Sequence, residues 1–230
     1  GCTSLYGLNC SNNNLTSLDV SSCTALTNLN CSNNNLDTLD VSGCTALSSL
    51  NCSNNNLTTL DVITCTSLGN LTCHNNQLTS LNINDCSLLY ALSCYGNKFS
   101  TNGYDSLMCL FTDYSGTGTD NTFYPLYDAN DANSAIFLAA NATNATAKNW
   151  QVLYYDNYNP ITTNGNYTCT FGGEKPIDTT QYITLIGKQN SSVSIYCDGN
   201  NSRTFVKIVS GQWDTVALCD NIPELYFYDS

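Results

Sequence analysis

Between residues 2 and 99, apolar side chains return at fixed offsets. Leu5, Leu8 and Cys10 are followed by Asn13, then by Leu15, Leu18, Val20 and Cys23, where the frame restarts. The second copy carries Leu26, Leu29, Cys31, Asn34, Leu36, Leu39 and Val41. The third carries Leu47, Leu50, Cys52, Asn55, Leu57, Leu60 and Val62. A fourth holds Leu68, Leu71, Cys73, Asn76, Leu78, Leu81 and Ile83, and a fifth keeps Leu89, Leu92, Cys94, Asn97 and Phe99 before the frame is lost. Around Leu8–Cys10 apolar and polar residues alternate, as in a short half-buried strand. A fixed period in the twenties indicates a solenoid. One coil alone cannot offset an ordering cost of roughly 1.5 kcal/mol per residue. Stacking buries both faces of each coil, and its strands then form a parallel sheet at about 4.8 Å spacing.

Beyond Ser100 the spacing changes. Tyr104, Leu107, Met108, Leu110 and Phe111 follow a helical period, which predicts a helix over about 103–113. Phe123–Tyr127 reads as a strand. Asp131 is placed to cap a helix through Ala132, Ile136, Phe137, Ala140 and Ala147, and a second strand starts at Trp150. Strand, helix, strand is a βαβ unit that would extend the parallel sheet and close its end. Asn159-Pro160 and residues 162–166 read as a linker. After it, short β signals at 167–171, 182–186, 193–197, 204–209, 213–219 and 225–228 predict a small sandwich or open barrel. The expected organisation is therefore repeats over 1–100, a capping region over 101–160 and a β-rich domain over 161–230.

Leu-x-x-Leu-x-Cys-x-x-Asn-x-Leu is the leucine-rich-repeat pattern, with Cys at the third apolar position. The unit resembles the 21-residue repeats of internalin-type bacterial proteins that carry a cysteine ladder, and the Asn-Asn-x-Leu-Thr-x-Leu-Asp-Val repeats of surface proteins from gut bacteria. That resemblance covers residues 2–99. It implies an α/β-type leucine-rich-repeat solenoid, mostly strand and coil with few helices, followed by a βαβ cap and a small all-β domain. It also implies an extracellular recognition or adhesion scaffold without catalysis, and it transfers no ligand.

The repeated polar residues have structural readings. An inward Asn at 13, 34, 55, 76 and 97 can satisfy turn N–H and C=O groups that no strand pairs with. Cysteines recur in two columns, at 2, 23, 44, 65 and 86 and at 10, 31, 52, 73 and 94. In-register parallel side chains point the same way, which suits a disulfide poorly. No C-x2-C cluster suggests zinc, so a reduced, buried ladder is expected. Cys109, Cys169, Cys197 and Cys219 lie outside both columns, and no pairing follows from their spacing. Asp19, Asp40, Asp61 and Asn82 form another column. One carboxylate per coil falls short of the 6–8 oxygens of a calcium site, so turn N–H groups are the expected partners.

The positions flanking the buried Leu face outward, on the concave side of such a solenoid. For three units they are bland: Gly7, Asn9 and Ser11, then Asn28, Asn30 and Ser32, then Ser49, Asn51 and Ser53. Novelty begins with His74, Tyr90 and Tyr95, the candidate binding residues. Exposed aromatics beside amides suit sugar or protein recognition. The alternative is that these tyrosines pack on the segment that follows.

Composition narrows the function classes. Eighteen acidic residues against six basic ones, a net charge of −12, leave no basic patch for nucleic acid or an anionic membrane surface. No apolar run approaches the ~20 residues of a membrane span. No Ser or Cys motif sets a nucleophile beside a base, no glycine-rich phosphate loop occurs, and no cofactor is implied. The chain opens Gly-Cys with no leader-like segment, which reads as a trimmed or mature form. Leu5 and Leu8 would sit on an open end, so upstream residues or a partner, self-association included, are expected to cover it. The expected role is non-catalytic recognition of a host protein or glycan, at the cell surface or secreted. A structural spacer presenting another module is the alternative.

Overall fold

A computed structural model describes residues 2–169 and four strand segments beyond them, 182–183, 192–196, 203–207 and 216–217. The chain divides into two compact units, Gly1–Glu174 and Lys175–Ser230.

The first unit is built on a seven-stranded sheet whose spatial order is its chain order. Five three-residue strands come from the repeats: β1 (Gly7–Asn9), β2 (Asn28–Asn30), β3 (Ser49–Asn51), β4 (Asn70–Thr72) and β5 (Ala91–Ser93). All pair in parallel and in register, so Leu8, Leu29, Leu50, Leu71 and Leu92 form one row. From Leu29 onward that row is buried, as are Leu26, Leu36, Leu47, Leu57, Leu68 and Leu78. Leu5, Leu8, Cys10, Leu15 and Leu18, in the first of these coils, are partly buried and pack against the same core.

The inward Asn column is the hydrogen-bonding hub of each coil. Asn55 Nδ2 donates to the carbonyls of Cys31, Cys52 and Ser53, at 3.1, 3.1 and 3.2 Å, while its Oδ1 accepts from Leu36 N at 3.0 Å. Asn34, Asn76 and Asn97 repeat the pattern. One carboxamide thus ties each coil to the one before it, satisfying groups that the short strands leave unpaired. The preceding turn needs a left-handed residue. Asn12, Asn33, Asn54 and Asn75 supply it with φ of 57°, 54°, 54° and 52°, and Gly96 takes the fifth position with φ 63°. Asn tolerates this region better than most side chains.

The ladder cysteines are free thiols. Eight of these ten are buried, Cys10 is half-buried and Cys2 is exposed. Cys44 and Cys86 Sγ lie 3.3 and 3.5 Å from the carbonyls of Val20 and Val62 in the preceding coil. Asp19, Asp40, Asp61 and Asn82 each accept the N–H two residues on, from Ser21, Ser42, Ile63 and Asn84.

After the repeats comes α1 (Thr101–Cys109), capped by Ser100, whose hydroxyl accepts from Gly103 N. It ends earlier than the apolar spacing suggests, because the Leu110 and Phe111 N–H groups close on Leu107 and Met108 carbonyls three residues back. Two more parallel strands follow, β6 (Asn121–Leu126) and β7 (Trp150–Tyr154), with α2 (Ser134–Leu138) and α3 (Thr143–Thr146) between them. The single helix expected over 132–147 is broken at Asn141. There the backbone N–H donates to the buried Asp105 carboxylate, and the side-chain oxygen accepts from Thr143 N and Oγ1. Such local side-chain bonding competes with helix continuation. Asp131 does not cap α2. Its carboxylate accepts from Tyr127 N and Asn133 N instead. Phe111, Phe123, Phe137 and Trp150 fill this end of the core, with Phe111 stacked on Trp150 at 4.2 Å.

Residues 159–166 do not run free as the expected linker. Pro160 bridges Leu153, Ile161 is buried, and the Asn164 and Gly165 N–H groups donate to the carbonyls of Leu138 and Ala140. A disulfide then joins Cys169 to Cys109. In the second unit, β9 (Ser192–Tyr196) pairs antiparallel with β10 (Arg203–Lys207), and β8 (Tyr182–Ile183) with β11 (Val216–Ala217). The rest of the β-rich domain expected over 161–230 lies outside the described residues.

Candidate functional site

On the outer face of the sheet, the column two residues after each strand begins with Ser11, Ser32 and Ser53. Each hydroxyl donates to its own coil, to Asn9, Asn30 and Asn51 Oδ1 respectively, at 2.7–2.8 Å, and the same oxygen accepts the Ser N–H. The first three coils therefore use their outward polar groups internally. The fourth coil changes both members of this pair, to Thr72 and His74. His74 Nδ1 lies 3.2 Å from Ser93 Oγ of the next strand, and its ring stacks on Tyr95 with centroids 4.2 Å apart and planes 9° apart. Both residues are more than nine-tenths buried. Burial holds His74 down to a pKa of about 4, so its imidazole is neutral at physiological pH. Burial, followed by the nearby Tyr155, Tyr127 and Asp131, pushes the Tyr95 phenol up.

The column continues into β6 and β7. A register shift between Phe123 and Leu126 pairs Leu126 with Tyr154, which sets Tyr127 beside Tyr155. Tyr127 and Tyr155 lie 5.4 and 5.0 Å from Tyr95, centroid to centroid, and 6.2 Å from each other. Tyr155 is also 5.7 Å from His74. Tyr124 stands edge-on to Tyr155 at 5.5 Å, and Tyr158 contacts Tyr124 at 6.0 Å. His74 and Tyr95 are covered and Tyr124 is half-buried, whereas Tyr127, Tyr155 and Tyr158 are 46%, 37% and 63% exposed. Six rings thus make a continuous patch with a buried floor and an open rim.

Of the three candidate residues, His74 and Tyr95 meet and form the floor. Tyr90 does not join them. It stands before β5, half exposed, with its ring over Gly69, where an added Cβ would come within 2.7 Å of it. Sequence reasoning missed Tyr127, Tyr155, Tyr124 and Tyr158. The usable signal was the column itself, which runs Ser, Ser, Ser, His, Tyr, but the shift near Pro125 moves the count by one.

Among the described residues, no three His, Cys, Asp or Glu side chains gather as a metal site, and no helix is long and apolar enough to cross a membrane.

No family model matches, and no curated protein matches. Among solved structures, the chain is similar to the functional domain of InlJ from Listeria monocytogenes, described as including a cysteine ladder. Identity is 28% over 66% of this chain and 29% of that one, with a TM-score of 0.48. It is also similar to a leucine-rich-repeat protein of Leptospira interrogans, at 24% identity over 46% and 35% of the two chains and a TM-score of 0.37. A third similar structure is the internalin InlF of Listeria monocytogenes, at 23% identity over 47% and 39% and a TM-score of 0.36. The chain folds as a leucine-rich-repeat solenoid with two columns of free, mostly buried thiols. Its in-register coils and Asn hubs make it so. It spans about a third of the length of these solved structures.

Proposed function

We propose that this leucine-rich-repeat chain is a non-catalytic recognition module, secreted or held at the cell surface, that binds a host protein or glycan through the ring patch of β4–β7. The observation that carries the reading is the change along one column, from serines bonded within their own coils to rings that contact each other across strands and stay open at the rim. Large, stiff amphipathic rings give contact area at low entropic cost. His74 and Tyr95 serve as the floor, and Tyr127 and Tyr155 as the contact surface. Tyr90 is outside the patch. A spacer role has its own support in the blandness of the first three coils. It would make them a rigid stalk that sets the position of the patch. The βαβ segment over 121–154 acts as the cap of the stack in either case.

The test is capture on protein and glycan arrays by the wild-type chain and by Tyr127→Ala/Tyr155→Ala, with Tyr6→Ala as a control at the far end. Signal lost in the double variant and kept in Tyr6→Ala supports recognition. Signal indifferent to the double substitution removes it. Silence on both arrays with an intact fold leaves the spacer.

A further inference from the structure

We propose that the ring patch takes a cation, namely the Lys or Arg side chain of a basic segment in a partner protein. This rests on the recognition reading and narrows it to one ligand chemistry.

The geometry comes first. Tyr95, Tyr127 and Tyr155 form a triangle of centroids with sides of 5.4, 5.0 and 6.2 Å. A cation about 4 Å above its centre lies within about 6 Å of all three rings, the range over which a ring quadrupole attracts positive charge. The three planes are inclined to one another by 58°, 43° and 33°. Tyr124 adds a wall at 84° to Tyr155. Rings so inclined do not offer the flat platform on which the face of a sugar ring stacks.

Charge points the same way. Asp128 and Asp156 directly follow the exposed Tyr127 and Tyr155 in sequence, and the Asp131 carboxylate is bonded to Tyr127 N at 2.9 Å. Residues 2–169 hold eleven aspartates against two lysines. Both lysines are engaged elsewhere, Lys98 Nζ with Gln77 Oε1 and Lys148 Nζ with the Cys109 carbonyl. Neutral His74 adds no opposing charge.

The floor supplies an independent sign of a ligand. Tyr95 is 6% exposed, yet its hydroxyl has no hydrogen-bond partner among the described residues. It is also not among the fully enclosed polar atoms without partners, of which Asn121 Oδ1 is the one found among the described residues. A hydroxyl without a partner among the described residues sets a hydrogen-bond acceptor at the floor of the patch.

The test uses the full chain and three probes, hexa-arginine, hexalysine and hexaglutamate peptides, titrated by calorimetry at two salt concentrations. Hexa-arginine is expected to bind more tightly than hexalysine, since guanidinium also stacks on rings, and hexaglutamate is expected not to bind. Tyr127→Ala/Tyr155→Ala should weaken hexa-arginine about tenfold, a few-fold per exposed ring. Tyr127→Phe/Tyr155→Phe, which keeps the ring faces, should stay within about twofold. Asp128→Asn/Asp156→Asn should weaken it several-fold, and more at low salt. Affinity unchanged by the Ala pair would assign binding to net charge and overturn the proposal, as would loss in the Phe pair equal to that in the Ala pair. A neutral glycan captured through Tyr127 and Tyr155, with no peptide bound, would overturn the cation and keep the recognition reading. No ligand of either kind at these rings would remove both.

Discussion

At Ser32 and Ser53 the outward column holds hydroxyls that donate back into their own coils. At Tyr95, Tyr127 and Tyr155 the same column holds rings that lean on rings of other strands. The backbone frame barely differs, since every neighbouring pair from β1 to β7 is parallel. What differs is where the polar and apolar valences of the side chains are met. In the early coils they are met locally, so each coil is complete apart from its two stacking faces. At the other end they are met between strands that lie far apart in sequence, and some are left open. Monotony on a solenoid face is the outcome of local satisfaction, and a partly open ring patch arises where that stops.

The sharpest way to break the comparison is to remove a hub. Asn55→Ala forfeits four hydrogen bonds and leaves buried carbonyls and an N–H without partners. The expected loss is about 4 kcal/mol in urea unfolding. Asn13→Ala, at the exposed edge, should cost about 1 kcal/mol or less. Equal losses would mean that the hubs act within a coil and not between coils. Next in size is the ring floor. Tyr95→Ala should cost about 3 kcal/mol, whereas the half-exposed Tyr155→Ala should stay within about 1 kcal/mol. Similar values for both would contradict the division into floor and rim.

Reduction of Cys109–Cys169, which spans 60 residues, should lower stability by about 3 kcal/mol. The Cys109→Ala/Cys169→Ala variant should show the same midpoint with and without reductant. pH separates the two regions further. His74 has a folded pKa near 4, against about 6.5 unfolded. Below pH 6.5 the unfolded chain takes up a proton that the folded chain refuses. The contribution is therefore fully present above pH 6.5 and falls away as pH drops toward 4. At pH 5 the loss is about 1–2 kcal/mol, and His74→Phe should flatten that slope in a pH series of thermal midpoints. The smallest effect belongs to the ladder. Cys52→Ala removes one buried sulfur from a site with no disulfide or metal, for about 1 kcal/mol. In the same chain a thiol reagent at pH 8 should label exposed Cys2 readily. It should spare Cys31, whose thiol burial pushes up to about 12, until the chain unfolds.

How much of this was legible depends on how local the cause was. The Leu rows, the Asn hubs, the free buried thiols and the Asp turns could all be read because each repeats on a fixed frame. A residue that recurs every 21 positions must do the same thing each time. The ends of α1, the break at Asn141 and the docked stretch 160–169 were not legible. They depend on Asp105, Tyr167 and Cys109, partners that no periodicity points to. For the candidate site, His74 and Tyr95 stood out as departures from the frame. Tyr127 and Tyr155 join them only through pairing across a shifted register, and Tyr90 departs from the frame but lies over Gly69, outside the ring patch.

The in-register stacking of the coils has one more consequence, and it concerns inheritance. Residues 31–36 and 52–57 are the same six letters, Cys-Ser-Asn-Asn-Asn-Leu. Unequal crossing-over within such a stretch would remove or add 21 residues and leave the hydrogen bonds between the remaining coils with equivalent partners. Each event would shift the tyrosine end by one strand spacing, about 4.8 Å, without altering it. The near-identity of the repeats thus makes the number of coils a trait that can vary in whole units, independently of the ring patch at the other end.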